Sequence, residues 1–242
     1  MNDFTIMLPV HRSNLALAND CIQNLLDTSD LPIICIDDFG NDNEYIKNNR
    51  LSFIHNTYSE RQPLVKIWNQ CIKECPTNNV IIASWRQRPS VDTFKTIYDK
   101  TNEGYGLITF DGLHFFCINK YLTTIIGFFD EGFTKGQFED TDWFNRLRVN
   151  NIGIYMGDIA ENRIIGSMWL DGAAENKKYY ISKWTEDTGN NRLIQHKNEV
   201  NICDRSLFYS LSSITYKRWP ESVLAHNLTE YFSVFRGFIK DI

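Results

Sequence analysis

The chain lacks the cysteine spacing that holds zinc. Its six cysteines, Cys21, Cys35, Cys71, Cys75, Cys117 and Cys203, form no CxxC pair and sit mostly in apolar segments. Metal fingers are excluded, and buried free thiols in a reducing compartment are expected. Neither a Gly-x-Gly-x-x-Gly turn nor a Gly-rich Lys-Ser/Thr loop is found, and no Ser-His-Asp grouping stands out. Positive charge is also in short supply: 25 Lys and Arg against 30 Asp and Glu leave a net charge of −5. That removes any general attraction to nucleic acid or an anionic membrane and leaves only local basic clusters as phosphate sites. MNDFTIMLPV has only a short apolar run before a proline, so neither a signal peptide nor a transmembrane anchor is expected there. A cytoplasmic protein with no nucleic-acid partner is the expectation. Internal repeats and low-complexity tracts are likewise missing.

What is present reads as one domain large enough to bury a core, with an appendage. Phe4 to Val10 is a strand pattern interrupted at Pro9, and Leu15 to Leu26 carries apolar residues at helical spacing. LPIICI, Leu31 to Ile36, is the unbroken apolar run of a strand covered on both faces. Further strands are expected at Leu51 to His55 and Val80 to Ala83, with a helix from Gln62 to Cys75 between them. The β-α-β-β-α-β alternation predicts an α/β layered domain. A helix at Val91 to Lys100 follows, then strand, turn and strand in GLITFDGLHFFCINK. Next comes a glycine-rich loop, IIGFFDEGFTKGQ, and then a helix that starts on Glu139, Asp140 and Asp142. Ile152 to Met156 is a strand, and Gly166 to Asn190 reads as a polar surface loop. Residues 1–195 are assigned to the domain and 196–242 to an aromatic-rich helical appendix that packs on the domain or on a partner, a second copy included.

The chemistry-bearing residues lie where strands end. Asp37 and Asp38 close the second strand, a position from which a carboxylate can accept a ribose hydroxyl or a base N–H; Asp-Asp before Gly40 is equally a turn sequence. The fourth strand runs into Ser84-Trp85-Arg86-Gln87-Arg88, an unusual basic cluster. The three acids at the start of the helix sit where the dipole and unpaired N–H groups stabilise ionised carboxylates, which serves plain helix initiation as well as catalysis.

Taken together the chain resembles the GT-A fold glycosyltransferases, the large family-2-like group in particular. The match runs through LPVHRSN (Leu8 to Asn14), Asp37-Asp38, and Asn69 in KIWNQC. It continues through Gly127, Phe129, Asp130, Glu131, Phe133, Glu139, Asp140, Asp142 and Arg146, and ends in NKKYYISKW at Asn176 to Trp184. The resemblance implies a three-layer sandwich with a Rossmann-like nucleotide-binding half and an acceptor half. It implies transfer of a sugar from a UDP-, GDP- or TDP-sugar donor to a glycan or other acceptor hydroxyl. Pro9, His11, Arg12, Asp37, Asp38 and Ser84 would face the nucleotide. Asp140 would be the base of an inverting displacement, with Glu139 beside it, and Asp111, His114, Asp142 and Trp184 would lie toward sugar and acceptor.

The sequence departs from that family where it binds metal. The family's Asp-x-Asp for Mn²⁺ or Mg²⁺ corresponds to Ser84, Trp85 and Arg86, and the family's later histidine falls near Glu161-Asn162-Arg163. Trp and Arg offer a hard cation nothing, so no metal ligand is assigned. Arginine forks match phosphate geometry and stay charged, so Arg86 or Arg88, with Arg163, are expected to take the metal's place at the diphosphate. Two alternatives stay open. One is a non-catalytic relative that binds nucleotide or glycan, or serves assembly. The other is a sugar-1-phosphate nucleotidyltransferase, which should carry a Gly-rich basic loop after the first strand, where PVHRSN has no glycine.

Overall fold

The computed structural model describes residues 3–10, 15–37, 44–56, 58, 62–134, 138–150, 152–157 and 173–185. The chain order is β1 (Phe4–Val10), α1 (Leu15–Thr28), β2 (Ile33–Asp37), β3 (Leu51–His55), α2 (Leu64–Glu74), β4 (Asn79–Ala83), α3 (Val91–Asn102), β5 (Leu107–Phe110), β6 (Phe115–Asn119), α4 (Leu122–Ile126), α5 (Glu139–Val149), β7 (Ile154–Gly157) and α6 (Ala173–Thr185). The strands form one seven-stranded sheet in the order β3-β2-β1-β4-β6-β5-β7. All neighbours are parallel except β6, which is antiparallel to both β4 and β5.

Side-chain alternation along each strand divides the core into layers. Ile6, Leu8, Ile81, Ala83, Phe115 and Cys117 face Ile22, Leu25, Phe94 and Ile97 on α1 and α3. Met7, Val80, Ile82, Phe116 and Ile118 face the other way, onto Trp68 and Ile72 of α2 and Trp143, Phe144 and Leu147 of α5. The result is the α/β three-layer sandwich expected, with the inner strands buried on both faces because helices cover both, and the edge strand β3 more exposed. Pro9 is tolerated inside β1 because β4 pairs only with Phe4 to Met7, so the missing N–H falls where the ladder is already one-sided.

The topology gathers the functional candidates. β1, β2, β4, β5 and β7 all point the same way, so they end on one edge of the sheet, and antiparallel β6 begins there. The β5–β6 turn uses Asp111 at φ 51 and Gly112 at φ 69. Helix α5 leads into β7 and must run down the sheet to do so, which leaves Glu139 and Asp140 at the edge where the parallel strands end.

Two segments differ from expectation. The loop expected from Ile125 begins at Gly127, because Leu122–Ile126 closes a short helix that ends on that glycine at φ 79. The stretch Gly166 to Asn190, expected to be a polar surface loop, contains α6. Its buried face includes Tyr180 and Asn176, so the apolar stripe by which helices are recognised is weak. The appendix, residues 196–242, and Cys203 with it, lie outside the described residues. The other five cysteines are free and buried as expected, with burial pushing the Cys21 thiol up to about 12. Among the described residues no helix is long and apolar enough to cross a membrane.

Candidate functional site

At the end of β2, Asp37 is 2% exposed and already engaged. Its carboxylate accepts a hydrogen bond from the Tyr45 hydroxyl and lies 3.5 Å from His55 Nδ1. Burial, with the Asp37 charge added, pushes the Tyr45 phenol well up, which keeps it a hydrogen-bond donor. Tyr45 stacks on Phe53 and Phe53 on His55, so an aromatic ladder borders this carboxylate. Asp37 thus anchors the strand end and is not an open acceptor. The neighbouring Asp38 lies outside the described residues, as do His11, Arg12 and Arg163.

The chain leaves β4 in a tight turn. Ser84 N–H donates to the His114 carbonyl and Gln87 N–H to the Ser84 carbonyl, while Arg86 N–H reaches Ser84 Oγ at 3.4 Å. The Arg86 guanidinium sits 4.8 Å over the Trp85 ring and is only partly buried. Arg88 is placed differently from the expectation of a diphosphate ligand. It is buried against α1, where Nε and Nη2 donate to Asp20 at 3.0 and 2.6 Å and Nη1 and Nη2 donate to the carbonyls of Trp85, Gln87 and Leu17. A guanidinium with its donors spent in this way fixes the turn and has little left for a phosphate. Of the two arginines, Arg86 alone is presented outward by the turn.

A second cluster is built around residues 127–133. Asn69 of α2 is 2% exposed and clamps the backbone of Phe129: its Nδ2 donates to the Phe129 carbonyl at 2.9 Å and its Oδ1 accepts the Phe129 N–H at 2.9 Å. The same Nδ2 reaches Glu131 Oε1 at 3.0 Å. From α5, Trp143 stacks on Phe129 at 4.2 Å, and Arg146 Nη1 donates to the carbonyls of Ile126 and Phe128. Burial pulls the Arg146 guanidinium down, opposed by its partner Asp142, 2.9 Å away and fully buried like Arg146 itself. Asp142, expected toward the sugar or acceptor, therefore belongs to the interior. Lys183 of α6 reaches both Asp142 and Asp130. Burial pushes the Asp130 carboxyl up, but the Lys183 charge and hydrogen bonds from Lys183, Gly132 N–H and Tyr179 outweigh it and hold it low.

The two remaining acids face different environments. Glu139 is 6% exposed and its Oε2 has no hydrogen-bond partner among the described residues. Burial, then the Asp140 charge, pushes its carboxyl up to about 8. Asp140 is partly exposed, and its Oδ1 accepts the Thr141 N–H at 2.7 Å. Phe138, which leads into this turn, adopts a left-handed conformation at φ 70, an uncommon one for a bulky residue, and its ring lies 5.4 Å from Tyr180. Across the edge, Asp111 N–H donates to the Gly157 carbonyl, while Asp111 Oδ2 is buried without a hydrogen-bond partner among the described residues. His114 is exposed beside it. Trp184 falls in the last turn of α6.

A divalent cation does not fit what is present at the end of β4. Ser84, Trp85 and Arg86 supply one hydroxyl, an indole and a positive charge, and the described residues contain no group of three or more His, Cys, Asp or Glu able to hold a metal. Sequence reasoning missed Tyr45 and His55 around Asp37, and Tyr179 over the acidic loop. Tyr179 and Lys183 are four apart and share a helix face, a signal concealed by reading the segment as a loop.

No protein-family model and no curated protein sequence matches the chain. Solved structures do. Mannosyltransferase PcManGT from Pyrobaculum calidifontis, in complex with GDP-Man and Mn²⁺, is similar over 72% of this chain with TM-score 0.52 and 10% identity. The aligned region spans 59% of that enzyme's length. A chain from Desulfovibrio desulfuricans G20 assigned as a nucleotide-diphospho-sugar transferase aligns over 65% of this chain and 80% of its own, with TM-score 0.47 and 9% identity. The 4-diphosphocytidyl-2C-methyl-D-erythritol synthase of Anaerococcus prevotii DSM 20548 aligns over 73% and 95%, with TM-score 0.49 and 8% identity. The chain has a GT-A-like fold, shared with that mannosyltransferase.

Proposed function

We propose that the chain is a glycosyltransferase that moves a sugar from a nucleoside-diphosphate donor to an acceptor hydroxyl with inversion, using an arginine where relatives of this fold use a metal. The observation that carries this reading is Arg86. It is a cation held on Trp85 at the end of β4, on the same sheet edge as the start of α5. In the reaction the Asp140 carboxylate takes the proton of the acceptor hydroxyl as that oxygen bonds to the anomeric carbon from the face opposite the leaving group. The bond from that carbon to the diphosphate oxygen breaks, and the electron pair leaves on the nucleoside diphosphate. Arg86, joined by Arg163, meets the charge that develops there. Asp140 is the better base of the adjacent pair because its side chain is partly exposed, where an acceptor hydroxyl can reach it, whereas Glu139 is buried. Glu139 stays a neutral neighbour near pH 7, since burial favours its protonated form.

On the nucleotide side we assign Pro9, His11, Arg12, Asp38 and Ser84 to the nucleoside, with Asp37 supporting them. Asp111, His114 and Trp184 are assigned to the sugar and acceptor side. Asp111 Oδ2, buried and without a partner among the described residues, supports that assignment, because a sugar hydroxyl would supply a donor. The same loss of metal ligands also favours a second reading, a nucleotide or glycan binder without turnover. Incubation with UDP-, GDP- and TDP-sugars in excess chelator separates the readings. Release of nucleoside diphosphate and glycoside product by the wild type, abolished in Asp140→Asn with nucleotide binding retained, is the expected result. Full dependence on added Mn²⁺ refutes the arginine role, and binding without any transfer refutes catalysis.

A further inference from the structure

Lys183 projects from α6 toward the 127–133 loop, its side chain 9% exposed. Its ammonium lies 2.5 Å from Asp130 Oδ2 and 2.7 Å from Asp142 Oδ1, and 5.8 Å from the centre of the Phe133 ring. Asp142 is paired in turn with Arg146, which holds the carbonyls of Ile126 and Phe128. Tyr179, one turn earlier on α6, donates to the same Asp130 oxygen at 3.0 Å, and its ring occupies the space that a Cβ on Gly132 would need. Exposed ion pairs contribute little, but a buried lysine between two carboxylates is costly to assemble and fixes geometry. This one joins three separate pieces of chain: the 127–133 loop, the first turn of α5 and α6. Asp142 is two residues from Asp140, so what locks one sets the other.

We propose that Lys183 is a positioning residue that locks the 127–133 loop to the start of α5 and thereby sets where the acceptor hydroxyl lies relative to Asp140. The inference rests on the transferase reading above. A misplacement of ~1 Å costs on the order of 100-fold in rate, so Lys183→Met should lower kcat by about that factor. Its partners all lie in the acceptor half, so nucleoside-diphosphate affinity should stay within about twofold, the usual limit for uncoupled sites.

Because Lys183→Met strands a negative charge and can impair folding, the decisive variant is K183M/D130N, which restores charge balance without the bridge. It should fold as the wild type does, bind nucleotide normally and still transfer slowly, whereas Lys183→Arg, which keeps both charge and reach, should recover most of kcat. Amide exchange in K183M/D130N should accelerate at residues 128–134 and 139–142 and stay unchanged at 4–10 and 79–83. Wild-type kcat in the double variant overturns the proposal. Should the wild type transfer from no donor, the transferase reading fails separately, and unchanged exchange at 128–134 then overturns the lock on its own.

Discussion

Asn69 offers the sharpest test of how the 127–133 loop is held. Replacing it with leucine keeps most of the volume and deletes both bonds to the Phe129 backbone as well as the contact with Glu131. The Phe129 N–H and C=O would then be left unpaired beneath α2, at ~1–3 kcal/mol each. The leucine recovers ~1 kcal/mol through apolar burial, so a net loss of about 3 kcal/mol is expected. With a urea slope of ~2 kcal/mol/M for a domain of this size, the unfolding midpoint should fall by about 1.5 M with the slope unchanged. Equilibrium urea unfolding followed by tryptophan fluorescence measures this directly, since Trp68 and Trp143 both pack against Phe129. A shift under ~0.3 M, no larger than a surface substitution gives, would refute the clamp.

Glu139 should make stability depend on pH. Its carboxyl sits at about 8 in the folded chain against an ordinary value of 4.5. Between those values the folded state keeps a proton that the unfolded state has released, so its stabilising contribution is complete below 4.5, shrinks as pH rises, and is gone above 8. Over that interval the loss is on the order of 5 kcal/mol. Glu139→Gln has no proton to lose, so its urea midpoint should gain on the wild type from about pH 5 to about pH 8; a constant offset would count against burial as the cause. The two arginines should separate cleanly. Arg86→Ala should weaken nucleoside-diphosphate binding by roughly 10- to 100-fold, the equivalent of ~1.5–3 kcal/mol for a charge-assisted contact. Arg88→Met should lower stability by about 2 kcal/mol, because it removes the buried guanidinium's hydrogen bonds to the carbonyls of Leu17, Trp85 and Gln87, and should leave affinity little changed. Calorimetry and urea unfolding of both variants check this, and the reverse ranking would refute the assignment.

The inner strands were legible because burial on both faces makes each a short apolar run, and β1 and the more exposed edge strand β3 fall on the residues that the pattern marks. The sheet order follows from that alternation only in its parallel half. The β5–β6 hairpin was readable as the strand, turn and strand of GLITFDGLHFFCINK, with Asp111-Gly112 at its left-handed turn, but the insertion of β6 between β4 and β5 was not. Helix α6 was not legible, since its inner face is made with Asn176, Tyr180 and Lys183, residues whose burial depends on partners far away in the chain. The acidic start of α5 was readable as a cluster but not by role. Asp142 and Arg146 are four apart on one face, while Asp140 lies nearly opposite Asp142 around the helix, and that spacing separates a buried carboxylate from a partly exposed one. Arg86 and Arg88 look equivalent in sequence, and only the turn after β4 sends one outward and the other onto Asp20.

Calorimetric titration of UDP, GDP and TDP in excess chelator, repeated with Mn²⁺, bears most directly on the claim that an arginine replaces the metal. Saturable binding of one of these nucleotides in chelator, unchanged by Mn²⁺ and weakened by Arg86→Ala, is the predicted result. Binding that appears only with Mn²⁺, or none under either condition, would contradict it.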